Sequence, residues 1–293
     1  VSAPARAVDA PLVPPSGGQG LGEVFRRRYL LRLLVRREIA ARYQGSFLGF
    51  LWSYINPLSQ FFIYWFVIGL VMNLHKDVEN FPIHMFTGII VVHFFTETFN
   101  AGTRSILRNK ALVRKMAMPR EMFPVASMLV SGFHVLPQLV ILLGVCLLAG
   151  WTPTWIGMLA LVLALLIIAI LGTALALLFS AANVFFRDFG QLVTILTNFV
   201  RFGVPMIYPY SMVDERFHGH TELYLANPIA QAVLLMQRAF WVGTTSDPGK
   251  TVTEHMPDHL LTRGAISILV SLVLLGIAQW VFSRLENKIP ERI

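Results

Sequence analysis

Glu97 and Arg201 are ionisable residues set inside long apolar runs. A charge in such a run faces the protein interior or a water-filled path, because hydrocarbon solvates it poorly. The two are therefore expected to pair or to line one polar passage. The plainer alternative places either one near an interface, reached by snorkelling. Neither belongs to a catalytic constellation. The other acids are scattered along the chain, whereas an enzyme at a membrane face needs clustered carboxylates or a metal motif.

Two further stretches carry suggestive residue types. Gly243-Thr244-Thr245-Ser246-Asp247-Pro248-Gly249-Lys250-Thr251 looks like a phosphate-binding loop, but five residues rather than four separate Gly243 from Gly249. It follows no strand and is expected to open no helix, so it lacks the N–H cradle that holds a phosphate. His218, His220, His255 and His259 share a segment with Glu254 and Asp258. A metal site would use such residues, but Pro257 between His255 and His259 disfavours a helical pair, and a solvated loop with no metal is the preferred reading. Cys146, the single cysteine, sits in an apolar run and reads as a small hydrophobe.

Basic residues cluster at a third place. Arg108, Lys110, Arg114 and Lys115 alternate with Leu107, Leu112, Val113 and Met116. A short helix with one basic and one apolar face fits a groove on a partner; the bland reading is a solvated basic loop. Asn183, Arg187 and Asp188 form a second turn, in which Asp188 would cap the following helix and Arg187 would touch a partner.

Long apolar helices must position these residues. The chain has 293 residues, of which 55% are hydrophobic and only 14% charged, against roughly 25% charged in a soluble domain. Six stretches match the roughly 20 residues that cross a bilayer: 49–72, 83–103, 123–149, 155–182, 189–208 and 265–282. Pro57 and Pro137 fall inside them and are expected to kink their helices. Residues 1–20 read as a disordered tail. Residues 21–48 read as an amphipathic helix on the membrane surface, with Leu21, Val24, Phe25, Val35 and Ile39 on one arc and Arg28 and Arg32 intruding on it. The rest, 49–293, is one all-α polytopic domain with an outer segment, 209–262. No cleavable signal peptide is expected.

Charge sets the orientation. With both termini in the cytoplasm, 18 of the 24 Lys and Arg fall inside, 5 outside, and Arg201 within a span. The split follows the positive-inside rule and makes a membrane, not nucleic acid, the reading of the net charge of +8. The apolar segment 223–242 would spoil it as a seventh span. Two short re-entrant helices broken at Asn227-Pro228 are preferred, and such a break must lie against protein or water.

An ordered set of motifs carries a resemblance. It runs from Arg37-Glu38-Ile39-Ala40-Ala41-Arg42-Tyr43-Gln44-Gly45 through Trp52, Asn56-Pro57-Leu58 and Asn109 to Arg114. It continues with Met118-Pro119-Arg120-Glu121, Asn183-Val184-Phe185-Phe186-Arg187-Asp188, Pro205-Met206-Ile207-Tyr208-Pro209 and Asn227-Pro228. Over about residues 25–290 the chain resembles ABC-2 type permeases that export polysaccharides, and within them those of actinobacterial lipid-linked cell-wall galactan. The resemblance implies a plasma-membrane homodimer with two copies of a separate ATP-binding cassette subunit on its cytoplasmic face. ATP and Mg would bind that partner, and this chain would hold no cofactor and catalyse nothing. Lipid-linked polymer would pass between the two permeases.

Such a device needs a force contact, a path and a gate. Arg108, Lys110, Arg114, Lys115, Arg120, Glu121, Asn183, Arg187 and Asp188 are the contact candidates. Aromatic faces stack on sugar rings without fixing register, which makes Trp52, Tyr54, Phe61, Phe199, Phe202 and Tyr208 path candidates beside Glu97 and Arg201. For each aromatic, ordinary span packing competes with that role. Asn227 and Pro228 are the gate candidates. An ABC-2 exporter of a small lipid or drug shares the fold, and a membrane-embedded glycosyltransferase is the rival from another class. A secondary transporter would need more intramembrane ionisable groups and repeats.

Overall fold

The computed structural model describes residues 20–71, 78–116, 118–216 and 220–292. The expected tail, apart from Gly20, and His218 lie outside them. Among the described residues the elements are helices, with no strand.

The chain enters through α1 (Gly20–Arg26) and α2 (Arg28–Tyr43), which break at Arg27. The break alters the expected apolar arc. Val24, Leu31 and Leu34 are the buried residues, while Phe25 is exposed. They pack on the helix ends at one end of the molecule, against Ile106, Met122, Phe123 and Phe282. The helix therefore lies against protein as well as any membrane surface.

Helix α3 (Trp52–Tyr64) runs on into π-helical winding over Trp65–Val71, and Pro57 sits inside it without ending it. Helix α4 (Phe81–Arg108) is the central strut. Its 28 residues reach about 42 Å at 1.5 Å per residue, so Arg104 and Arg108 lie on its last turns rather than in a loop. After the short α5 (Lys110–Lys115) come α6 (Met122–Leu148) and α7 (Trp155–Phe185). Pro137 likewise lies within a continuous α6.

Helices α4 and α7 approach very closely. A Cβ on Gly102 would stand 2.4 Å from the Cβ of Ala176, and one on Gly172 would stand 3.0 Å from Thr98. Small residues thus set the spacing of the two longest helices, a device common where lipid gives no hydrophobic drive between helices.

Helix α8 (Phe189–Phe202) has 14 residues, about 21 Å, short of the roughly 30 Å of a bilayer core. The expected fifth span, 189–208, therefore ends early, and the chain turns at Gly203. The tip segment follows as α9 (Tyr210–Arg216), α10 (Thr221–Leu225), α11 (Pro228–Ala239) and α12 (Pro248–His255). Segment 223–242 is thus two short helices, not a seventh span. Long α13 (Leu260–Glu286) and the short α14 (Ile289–Arg292) complete the fold.

Helix α11 is buried on every side, with Ala230 and Ala232 to Met236 fully enclosed. Its surroundings satisfy the backbone that the break frees. Asn227 accepts from the Ile229 N–H and so caps α11 at 3.0 Å. The Gln231 amide donates to the Leu225 carbonyl and that of Gln237 to the Pro205 carbonyl, both at 2.7 Å. The indoles of Trp151 and Trp241 donate to the carbonyls of Ala239 and Glu79. An unmade hydrogen bond here would cost about 1–3 kcal/mol, so these polar side chains are what permit an irregular segment in an apolar setting.

One expectation is corrected at this tip. Residues 243–251 do open a helix, since α12 begins at Pro248. Its N-terminus is occupied by its own chain: Asp247 accepts from the Lys250 N–H at 3.0 Å. Gly243 is pressed against Trp151, which leaves no phosphate cradle. No group of three metal-ligating side chains occurs among the described residues; His255 instead lies 3.1 Å from the Ser211 hydroxyl.

Helices α6, α7 and α13 are each long and apolar enough to cross a membrane. Val140 (68% exposed), Leu269 and Val273 point outward from them. Such an unbroken apolar exterior fits a lipid solvent. Helix α4 has the length but carries His84, His93, Glu97, Asn100 and Arg104, and it is sheathed by the others.

Candidate functional site

Residues His93, Glu97, Asn100 and Arg104 recur along α4 at helical spacing and share one face. That face, with α2, α6 and α8, encloses a cavity of about 620 Å³. Arg42, Arg104, Arg108 and Arg201 line it with Glu38 and Glu97, a formal excess of two positive charges when His93 is neutral.

Glu97 is the hub. The Arg42 guanidinium, from the last turn of α2, donates to Glu97 Oε1. It also lies 2.8 Å from His134 Nδ1 on α6. A guanidinium can only donate, so Nδ1 accepts where it faces Arg42, but the same nitrogen also lies 3.2 Å from Glu97 Oε1, to which it donates in the other tautomer. Nε2 has no partner among the described residues. Gln138 donates to His93 Nδ1 at 2.9 Å, and His93 Nε2 stands 3.5 Å from Glu97 Oε2 as that ring's remaining donor. The expected ion pair between Glu97 and Arg201 is therefore replaced by one to Arg42. Glu97 and Arg201 do both line the cavity.

Four more polar contacts strap α2 to its neighbours. Arg108 pairs with Glu38 at 2.9 Å. Asn109 donates to Glu38 at 2.9 Å and accepts from Arg37 at 3.0 Å. The hydroxyls of Tyr43 and Ser53 meet at the start of α3. Arg104 donates to the Gly190 carbonyl and the Thr194 hydroxyl, tying α4 to α8. Arg201 has neither ion pair nor hydrogen bond among the described residues. It reaches the large cavity and a smaller one beside it, between Gln60, Ile89 and Met206.

A model of the family described as ABC-2 type transporter matches residues 29–241, more than half of the chain and all of the helices around the cavity. The chain belongs to the ABC-2 type transporter family. Among its curated relatives is an O-antigen export system permease protein of Myxococcus xanthus, 30% identical over 92% of this chain and 98% of that protein. One of the same description from Klebsiella pneumoniae is 27% identical over 73% of this chain and 81% of its own length. A polysialic acid transport protein of Escherichia coli is 22% identical over 75% and 84%.

In this ABC-2 transporter chain the expected contact residues divide. Lys110, Arg114 and Lys115 are exposed on α5, whose Val113 is buried and fixes the helix in place. Arg187 is exposed as well. Arg120 and Glu121 are buried and spent internally: Arg120 donates to the Glu286 carbonyl, and Glu121 accepts from Gln279 at 3.0 Å. Asn183 is buried too. It donates to the Thr103 carbonyl and accepts from the Gly190 N–H at 3.0 Å. It thereby does the capping expected of Asp188, which makes no side-chain cap bond.

The path candidates divide in the same way. Phe61 packs edge-on against Phe86 at the core. Phe199 (72% exposed), Phe202 (63%) and Trp52 lie on outward faces of α8 and α3. The Tyr208 hydroxyl donates to the Phe202 carbonyl at 2.9 Å, closing the end of α8. Tyr54 stacks edge-on with Phe50. Asn227 is a helix cap and Pro228 the first residue of α11. Sequence reasoning missed that Arg42, His93 and His134 gather on Glu97, and that Asn109 joins Arg37 and Glu38 in a second cluster. The spacing of 93, 97, 100 and 104 on one helical face was the available signal.

Proposed function

We propose that this chain is the membrane subunit of an ABC exporter of polysaccharide, with both termini in the cytoplasm and two copies side by side in the plasma membrane. Two ATP-binding cassette subunits bind ATP and Mg and supply the force; this chain holds neither and performs no bond chemistry. The cargo is a lipid-linked polymer, of the cell-wall galactan class.

The observation that carries this reading is the arginine-lined cavity. A lipid-linked polymer joins an apolar tail to an anionic phosphate-type linkage and a neutral glycan. The excess positive charge of the cavity suits that linkage, and Arg201, with no ion pair or hydrogen bond among the described residues, is the group available to take it. The relatives' names, O-antigen export and polysialic acid transport, support a polysaccharide cargo. On this reading α5, at the same end as α2, offers Lys110, Arg114 and Lys115 to the ATPase subunit. Helix α2 then couples that contact to the cavity, because Glu38 and Arg37 hold Asn109 where α4 meets α5. The outward aromatics of α8 and α3 face the second copy.

Co-purification with the product of the neighbouring reading frame tests the reading. An ATPase recovered with this chain, whose turnover depends on it, is the expected result. A chain that purifies alone and transports on an ion gradient contradicts it.

A further inference from the structure

A second cavity, of about 380 Å³, lies at the opposite end of the bundle, where α7 and α13 begin. Its walls are apolar: Ile156 of α7, Val252 and Met256 of the α12 region, and Leu260 and Leu261 of α13. Arg238, near the end of α11, also lines it. This guanidinium is half-buried and has neither ion pair nor hydrogen bond among the described residues. Asp258, the one acid among the lining residues, is exposed at the rim and does not pair with it.

The opening turn of α13 converges on the same space. Its N-cap, His259, sits at φ 56° and makes no side-chain cap bond. First-turn N–H groups have no partner within a helix, and here Leu260, Leu261 and Thr262 line the cavity. A cation without a counter-ion among the described residues thus meets the positive end of a 27-residue helix in an apolar recess. Beside it, Trp155, Ile156 and Leu159 of α7 and Ile266 and Leu269 of α13 are exposed, an apolar surface of the kind that suits acyl chains.

We propose that this recess seats the phosphate of an anionic membrane lipid, with its acyl chains along the exposed rows of α7 and α13. The apolar walls select a lipid over a free anion, and the bound headgroup neutralises Arg238 and staples α11 to α13. The site lies far from the arginine-lined cavity and stands whether or not the polymer binds there.

The test uses the full chain, stripped of lipid in detergent and then given phosphatidylglycerol or phosphatidylcholine, with bound lipid counted by native mass spectrometry. Wild type should retain phosphatidylglycerol preferentially and melt at a higher temperature with it. Arg238→Gln should cut retention about tenfold, the scale of one charged hydrogen bond. Arg238→Lys should keep part of it, and millimolar inorganic phosphate should not displace the lipid. Equal retention of the two lipids by wild type overturns the proposal, and that comparison stands even if Arg238→Gln fails to fold. Unchanged retention in a folded Arg238→Gln also overturns it, as does displacement by inorganic phosphate, which would mark a free-anion site.

Discussion

Arg42 and Arg201 share a cavity but differ in what they do for the fold. Arg42 is committed to Glu97 and His134, whereas Arg201 has no hydrogen bond or ion pair among the described residues. Glu97→Gln should therefore lower stability by about 1–3 kcal/mol, a figure discounted because the Arg42 side chain is 47% exposed. It should also make α2 more open to protease. Arg201→Gln should leave melting within about 0.5 kcal/mol of wild type while reducing export. Equal loss of stability in both variants would contradict this division.

Glu79 provides a pH test at the opposite end. The Ser246 hydroxyl and then its N–H hold this carboxyl below the ordinary range. A carboxyl lowered by folding contributes stability above its unfolded pKa, about 4.3, and loses it as pH falls through the folded value. Hydrogen exchange in 242–250 should thus be protected at neutral pH and should accelerate beyond the chemical rate only in acid. In Glu79→Gln that acid step should vanish; its persistence would assign the effect elsewhere.

At the scale of elements, two contacts decide how helices meet. Gly102→Ala puts a methyl group 2.4 Å from Ala176 Cβ and should cost about 1–3 kcal/mol by overpacking. Adding Ala176→Gly should restore much of the melting temperature, and no rescue would show that the strain lies elsewhere. Asn183→Ala should cost about 1 kcal/mol or more as a lost cap, while Asp188→Ala should cost little. The sequence suggested the reverse, because a cap is sought at the residue just before a helix. A side chain reaching seven positions forward from the preceding helix leaves no local signature. The break at Asn227-Pro228 was legible for the converse reason: proline and a capping asparagine are local signals. The extent of α8 was not, because Gly203 and Pro205 end the helix while apolar residues continue beyond it.

For the molecule as a whole, the all-helical membrane architecture was written in composition. Apolar runs of span length leave few alternatives. The cavity was only half legible. Glu97 and Arg201 stood out because they interrupt apolar runs, yet Arg42 sits in an arginine-rich stretch where nothing singles it out. Its selection depends on α2 docking beside α4 and α6, a long-range contact that no local pattern encodes. The same docking makes α2 a physical link between α5, where a partner's force would arrive, and the cavity, where cargo would be held.

Depletion of this chain, with analysis of the cell's lipid-linked glycans, tests that account most directly. One lipid-linked polymer should accumulate on the cytoplasmic side, and wild-type chain but not a stably folded Arg201→Gln should clear it. Unchanged lipid-linked glycans, with a small lipid accumulating in their place, would contradict the account.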